Sequence, residues 1–476
     1  MNAVLGVFEK RFEHYFEELC SLVRIPSVSF PGFDSARVRE SAEAVAQLLK
    51  RSGLQAVEVL EIEGAHPYVY GEWLGAPGKP TLLLYAHHDV QPPGREELWQ
   101  SPPFEPTLRE GPGGKRLYAR GSADDKAGVI VHVAAIASYL EAHGSLPVNV
   151  KVVIEGEEEV GSTHLPTFLE RYREKLQADV LVLTDTANFD CGHPALTIAL
   201  RGLVGLNVEL RSMSHAVHSG MWGGPLPDPA MALAKILATL VDDRGRIAVP
   251  GVWEQVRPLS DDERQAFSKI PYDEKTFREQ AGLVEGAELL REDLNPIAQV
   301  FRFPSLTVNA IQASSRKQAG NVLNESAWAR VTIRLVQDMN PDRVLELLEA
   351  HLRRVTPWGL ELSMQQDRGS GPWSVDPNET PRSQVAFDCA TRSLSAGYGR
   401  EPLFLGCGGS IPFVKPFSEA LGGAPALLIG VEDPYTNAHG ENESLLVSDL
   451  KKACLSQIHL FEELGRAGST IMKTST

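Results

Sequence analysis

Two kinds of apolar pattern run along the chain. The first is a short continuous run, found at Thr81–Tyr85, Val150–Ile154, Val180–Leu183 and Ala426–Ile429. A strand buried on both faces reads this way, because neither set of side chains meets water. Such strands belong to a parallel or mixed sheet covered by helices. The second kind alternates. Val204, Leu206, Val208 and Leu210 are separated by Gly205, Asn207 and Glu209, and Val331, Ile333 and Leu335 alternate with Arg330, Thr332 and Arg334. Successive side chains point to opposite faces, so these strands bury one face only and predict an antiparallel sheet. The alternating strands lie between the continuous ones. The pattern therefore predicts an α/β fold: a two-sided α/β domain in two parts, residues 1–201 and 369–476, interrupted by an α+β insertion over residues 202–368.

The insertion carries two helix starts of one type. Asp228 precedes Pro229 and an Ala, Leu and Ile run; Asn340 precedes Pro341 and then Val344, Leu345, Leu348, Leu352 and Val355 at helical spacing. Asp or Asn can accept from the first free N–H groups, and proline at the first helical position forfeits no hydrogen bond. Residues 254–297 are charged and broken by proline, and are expected to be helices and loops decorating the insertion.

Composition narrows the class. At 43% hydrophobic and 23% charged residues the chain is neither disordered nor collagen-like nor a disulfide miniprotein. Its 46 basic and 62 acidic residues give a net charge of −16, which repels phosphate backbones, so nucleic acid is not an expected partner. No apolar run reaches the ~18 residues of a membrane span. The start, Met1–Val4, lacks the basic and apolar regions of a signal peptide. Cys20, Cys191, Cys389, Cys407 and Cys454 are scattered, with no Cys-x-x-Cys, which fits a reducing, cytoplasmic compartment and argues against a Cys-rich zinc site.

The continuous strands share one feature: each leads to a metal-competent side chain. Thr81–Tyr85 runs into His87, His88 and Asp89; Val150–Ile154 into Glu155, Glu157, Glu158 and Glu159; Val180–Leu183 into Thr184 and Asp185; and Ala426–Ile429 is followed ten residues later by His439. In open α/β sheets the ligand site lies beyond the carboxyl ends of the strands. A fifth element, Arg120–Lys126, holds Asp124 and Asp125 ahead of an apolar helical stretch from Gly128 to Tyr139. Two histidines and several carboxylates without cysteine suit zinc, or less selectively manganese or cobalt. With this many carboxylates one can bridge, which points to a two-metal site. In an extended chain His87 and Asp89 share a face, so Asp89 can support the histidine. Of the pair Glu158–Glu159, one can bind metal while the other takes a proton. Taken singly, each motif has a plainer reading: a surface loop at His87–Asp89, a solvated acidic turn at Glu157–Glu159, a helix cap at Asp124–Asp125. Their conjunction favours the metal centre.

Together the motifs resemble the dinuclear zinc metallopeptidase family of carnosinases, cytosolic non-specific dipeptidases, aminoacylases, acetylornithine deacetylases and glutamate carboxypeptidases. The residues that carry the likeness are Tyr85–Pro92, Arg120–Lys126, Glu155–Ser162, Asp185, His218–Gly220 and Ala438–Glu443, in the family's order and over nearly the whole chain. The resemblance implies a zinc-peptidase type catalytic domain with an inserted lid and dimerisation domain, a homodimer formed through that insertion, and two Zn2+ per subunit, with Mn2+ or Co2+ as alternatives. It implies that His87 and Asp185 bind one ion, Glu159 and His439 the other, and Asp124 both, across an Asp124–Asp125 peptide that is often cis in the family. Glu158 would be the general base and later the proton donor, and Asp89 would support His87. His218 would reach the partner subunit's site and stabilise the oxyanion. Arg334 and the Gly408–Pro412 loop, with Gly409 and Ser410, would hold the substrate carboxylate. A lid turn at His218, a solvated strand face at Arg334 and a plain glycine turn at Gly408 are the alternatives.

Three positions depart from the commonest family pattern: Ala86 and Ala127 where glycine is usual, and Val160 where serine is common. None is an expected ligand. Asp-Val-Gln-Pro at 89–92, His-Ser-Gly at 218–220 and Asp at 185 lean towards the dipeptidase branch. The expected activity is metal-dependent hydrolysis of the peptide bond of small substrates with a free carboxylate, foremost dipeptides. N-acyl amino acid deacylation and carboxypeptidase action are the alternatives on the same machinery. A thiol hydrolase using Cys407 and His439, and a dimeric binding module without activity, are the rivals from other classes.

Overall fold

The continuous apolar runs form strands Thr81–His87, Asn149–Glu155, Val180–Leu183 and Ala426–Leu428 in the computed structural model, which describes residues 1–290, 294–409 and 414–472. Asn149–Glu155, Thr81–His87, Val180–Leu183 and Ala426–Leu428 are neighbours in that order, and all pair in parallel. Antiparallel strands extend the sheet. Tyr68–Trp73 pairs with Asn149–Glu155, Gln55–Leu60 lies outside it, and the strand that begins at Ala195 follows Ala426–Leu428. The register sets His87 opposite Glu155, and Leu183 opposite both Tyr85 and Leu428. The four parallel strands thus end at one rim.

Both faces of this sheet are covered, which is why its strands are apolar throughout. Leu82, Leu84 and Ala86 join the core formed with helix Lys126–His143. Tyr85 points the other way and meets Phe417 of helix Val414–Ala420 edge-on at 5.5 Å. Tyr68 stacks on Phe168 of helix Leu165–Arg171 at 4.1 Å. Lys126–His143 is itself buried nearly all round, because helices Asn2–Val23 and Val447–Ala467 pack outside it. Leu82, Leu83 and Leu84 are fully buried, and each contributes roughly 1.5–3 kcal/mol by leaving water, so the strand that carries His87 is firmly anchored.

Residue contacts divide the chain into two units. The first comprises Met1–Ile198, Val375–Leu405 and Pro412–Thr476; the second comprises Ala199–Ser374 with Gly406–Ile411. The bounds read from sequence, 202 and 368, lie a few residues inside the second unit and leave 406–411 outside it. Arg201 draws that segment in: its backbone N–H donates to the Gly409 carbonyl at 3.1 Å and its Nε to the Gly408 carbonyl at 2.9 Å.

In the second unit the alternating strands build an antiparallel sheet in the order Ser305–Gln312, Ser326–Leu335, Gly202–Arg211, Glu361–Ser370. Its apolar face packs against helices Pro229–Ala238 and Pro341–Val355. Both helices start as their sequences predict, with the Asp228 side chain accepting from the Ala230 N–H and that of Asn340 from the Arg343 N–H. Among residues 254–297 the described elements are short helices and loops. Among the described residues no helix is long and apolar enough to cross a membrane.

Candidate metal centre

Six side chains of the first unit meet at the sheet rim. His87 ends the buried strand Thr81–His87, and Asp185 lies two residues beyond Val180–Leu183. Glu158 and Glu159 open a single 3-10 turn after Asn149–Glu155. Asp124 lies just ahead of helix Lys126–His143, in a cis peptide bond with Asp125. His439 follows the Ala426–Leu428 strand on a loop. Asp125 is the residue at the helix cap, yet its side chain makes no capping bond. It turns back instead and accepts from the His87 N–H at 3.2 Å. Gly128 permits this, since a Cβ there would stand 2.3 Å from both the Asp125 carboxylate and the Thr184 hydroxyl.

The ligand atoms of His87, Asp124 and Asp185 lie within 4.8 Å of one another, and so do those of Asp124, Glu159 and His439. Asp124 belongs to both groups through its two oxygens. Oδ1 is 3.0 Å from His87 Nε2, and Oδ2 is 3.0 Å from His439 Nε2. Asp185 Oδ1 is 3.8 Å from His87 Nε2, and Glu159 Oε2 is 3.3 Å from His439 Nε2. Donors around one tetrahedral ion with ~2.1 Å bonds stand about 3.4 Å apart, so the spacing fits a divalent cation in each group. Histidine and carboxylate without sulfur also fit zinc, manganese or cobalt.

The electrostatics ask for positive charge. Burial pushes the carboxyls of Glu158, Glu159 and Asp185 up. Asp185 adds to this at Glu158, and Asp124 adds at both Glu159 and Asp185. Burial works against a charged His87, yet its bonds to Asp124, Asp185 and Asp89 carry its pKa well above the usual histidine value. Asp124, between two histidines, is held below the ordinary carboxylate range despite its burial. His88, by contrast, is lowered to about 4 by burial, with Nε2 3.0 Å from the Pro67 carbonyl; it is a core histidine.

Asp89 is fully buried and serves several neighbours. His87 Nδ1 is 3.0 Å from its backbone carbonyl and 3.4 Å from its carboxylate. The carboxylate accepts from the N–H groups of Glu158 and Glu159 at 3.2 and 3.1 Å and from the Ser29 hydroxyl at 2.7 Å. Glu158 Oε2 is 4.0 Å from His87 Nε2 but belongs to neither donor group, so its carboxylate stays available beside them.

Sequence reasoning missed several supports. Gln91 donates to Glu159 from both its backbone and its side chain, at 3.1 and 2.7 Å. Glu432 is raised by burial and by Asp124 and Asp185, which places it in the same electrostatic field. Gln91 sat within a quoted motif; Glu432 carried no local signal.

The other expected residues belong to the second unit. His218 is exposed on the two-residue strand Val217–His218, where its Nδ1 accepts from the Gly220 N–H at 3.0 Å. Arg334 is half-buried in strand Ser326–Leu335, opposite Ser305 and Leu203. Burial lowers its guanidinium pKa, and that of Arg201 falls to about 10 through burial and the nearby Arg334 charge. The Gly409 carbonyl accepts from Arg201, and its N–H donates to Cys407 Sγ at 3.3 Å. Ser410 lies outside the described residues.

The chain is similar to proteins already characterised. The family model described as "Peptidase family M20/M25/M40" matches residues 83–463. A Cysteinylglycine-S-conjugate dipeptidase of Corynebacterium striatum is 31% identical over 457 residues, covering 95% of this chain and 96% of that protein. The Beta-Ala-His dipeptidase of Homo sapiens is 29% identical over 386 residues, covering 80% and 74%. The crystal structure of human carnosine dipeptidase 1 matches with a TM-score of 0.85 at 26% identity, covering 97% of this chain and 99% of that one. A match of this extent settles the class: the chain belongs to peptidase family M20/M25/M40 and is a hydrolase.

Proposed function

We propose that the protein is a two-metal dipeptidase. The observation that carries this is the sharing of Asp124 by two donor groups with a free carboxylate, Glu158, beside them. His87, Asp124 and Asp185 would hold one ion, and Asp124, Glu159 and His439 the other, with zinc as the ion we favour. Bound there, the ions would lower the pKa of a water and polarise the substrate carbonyl. Glu158 takes the proton of the attacking water and returns it to the leaving amine, so the carboxylate is regenerated after each turnover.

Asp89 keeps His87 oriented and fixes the turn that carries Glu158 and Glu159. Because His218 accepts at Nδ1, its neutral ring carries the proton on Nε2, where it can donate to the developing oxyanion. We assign His218 to the site of a second subunit in a homodimer formed through the inserted lid domain. The edge strand Ser305–Gln312, with Ile311 64% exposed, and the 77% exposed Met221 support an interface on the second unit. Arg334 binds the substrate carboxylate, and we assign Gly409 and Ser410 to the same task. The Arg201 and Arg334 charges, each partly out of water, favour an anion. The five free cysteines support a reducing, cytoplasmic compartment.

Turnover of dipeptides and N-acyl amino acids by metal-reconstituted protein tests the reading. Hydrolysis of dipeptides in preference to N-acyl amino acids is expected. Preferential release of acyl groups would assign it to the deacylases instead.

A further inference from the structure

Arg120 and Glu443 form an ion pair at 2.7 Å, and they are only 1% and 0% exposed. The Glu443 carboxylate also accepts three backbone N–H groups: Gly121 at 2.9 Å, Ala123 at 3.0 Å and Asp124 at 3.2 Å. The Arg120 Nη2 donates to the carbonyls of Pro92 and Gly440, both at 3.1 Å. One buried pair therefore ties together three segments. They are the loop after His87 and Asp89, the loop that ends in Asp124, and the loop that carries His439.

A buried ion pair adds little net stability compared with apolar side chains of the same volume, so stability alone does not account for it. Its geometry does. The backbone of the third loop is left-handed at Asn437, His439 and Asn442, with φ of +55°, +64° and +61°. Residues other than glycine keep such angles only where their surroundings hold them. His87, in contrast, ends an anchored strand and is gripped by Asp125 and Asp89.

Resting on the two-metal reading, we propose that Arg120 and Glu443 are positioning residues that fix His439 relative to Asp124. They thereby set the affinity of the Asp124–Glu159–His439 position, and much less that of the His87–Asp124–Asp185 position. Neither side chain touches metal or substrate. Both act through the backbone of the loops that present the ligands.

Metal-free wild type, Glu443→Gln, Arg120→Lys and His439→Ala would be titrated with Co2+, followed by calorimetry and by visible absorption. Melting temperatures of the metal-free proteins would be recorded alongside. Glu443→Gln keeps the shape but sets an amide N–H against donors; Arg120→Lys keeps the charge but loses the fork to Pro92 and Gly440. Wild type is expected to bind two equivalents. Both variants should keep the first equivalent within about threefold of wild type and weaken the second by about 10–100-fold, the usual effect of losing a group that orients a ligand. The second step should then approach that of His439→Ala. Metal-free melting should fall in Glu443→Gln, which leaves the buried Arg120 charge unpaired, and less in Arg120→Lys, which keeps a charge there. Two unchanged equivalents would overturn the proposal. So would equal weakening of both equivalents, which is the mark of a merely structural pair. A wild type that binds fewer than two equivalents would overturn the two-metal reading and the clamp with it.

Discussion

Most metal-competent side chains of the first unit are buried and braced from behind by buried or half-buried groups; His439, 58% exposed on its loop, is the exception. Asp125 holds the His87 backbone, Asp89 the Glu158–Glu159 turn, Gln91 the Glu159 carboxylate. In the second unit, His218 is exposed on a two-residue strand and takes a hydrogen bond from Gly220, two residues away. The difference follows from what each must do. Metal ligands have to stand within about 0.2 Å of ideal distances, which a prearranged framework helps to supply. A side chain that donates one hydrogen bond to a substrate needs reach and the right tautomer. Substitutions in the first unit should therefore remove metal or chemistry, whereas those in the second should impair turnover with metal content intact.

The largest expected effect is at Asp124, the residue both donor groups share. Asp124→Ala should drop metal content below one ion per chain and turnover to background, read by elemental analysis and assay. Next comes Glu158→Ala, which should lose about 10²–10⁴-fold in kcat, the range for acid–base catalysis, while both ions stay bound. Near-normal activity would pass the role to another group, Glu157 first. His218→Ala should cost about 10²–10³-fold, the loss seen on removing one oxyanion donor, again with metal retained. Mixed with Glu158→Ala subunits, it should regain activity that neither variant has alone. Absence of rescue despite proven subunit exchange would break the assignment of His218 to a second subunit.

A smaller effect probes how dry the first unit is. His132 is fully buried, with Nε2 3.1 Å from the Tyr85 carbonyl, and burial lowers its pKa to about 4. The unfolded chain then binds a proton on this residue at a higher pH than the folded one. Its contribution to stability is complete above about pH 6.5 and is lost as pH falls towards 4, by at most about 3 kcal/mol. His132→Gln should flatten the acid limb of a stability-against-pH curve. An unchanged limb would mean that the core around His132 is wetter than its burial implies.

Much of this was legible in the sequence, for a physical reason. Strands buried on both faces leave continuous apolar runs, and parallel strands end together, so His87, Glu158, Glu159 and Asp185 could be placed at one rim before any coordinates. The alternating strands and the caps at Asp228 and Asn340 were equally readable, because each is a local rule. What escaped were pairings across long stretches of chain. Nothing near Arg120 announces Glu443 some 320 residues on, nor does Arg201 announce its hold on Gly408 and Gly409. Asp125 was readable as a helix cap. Only the fold shows that His87 claims its side chain instead.

The most direct test of the central claim is a titration of chelator-stripped protein with Zn2+, with dipeptide hydrolysis and bound metal measured at each step. The account predicts that turnover is absent in the stripped protein and reaches its plateau at about two equivalents per chain. Full turnover with no more than trace metal would contradict it.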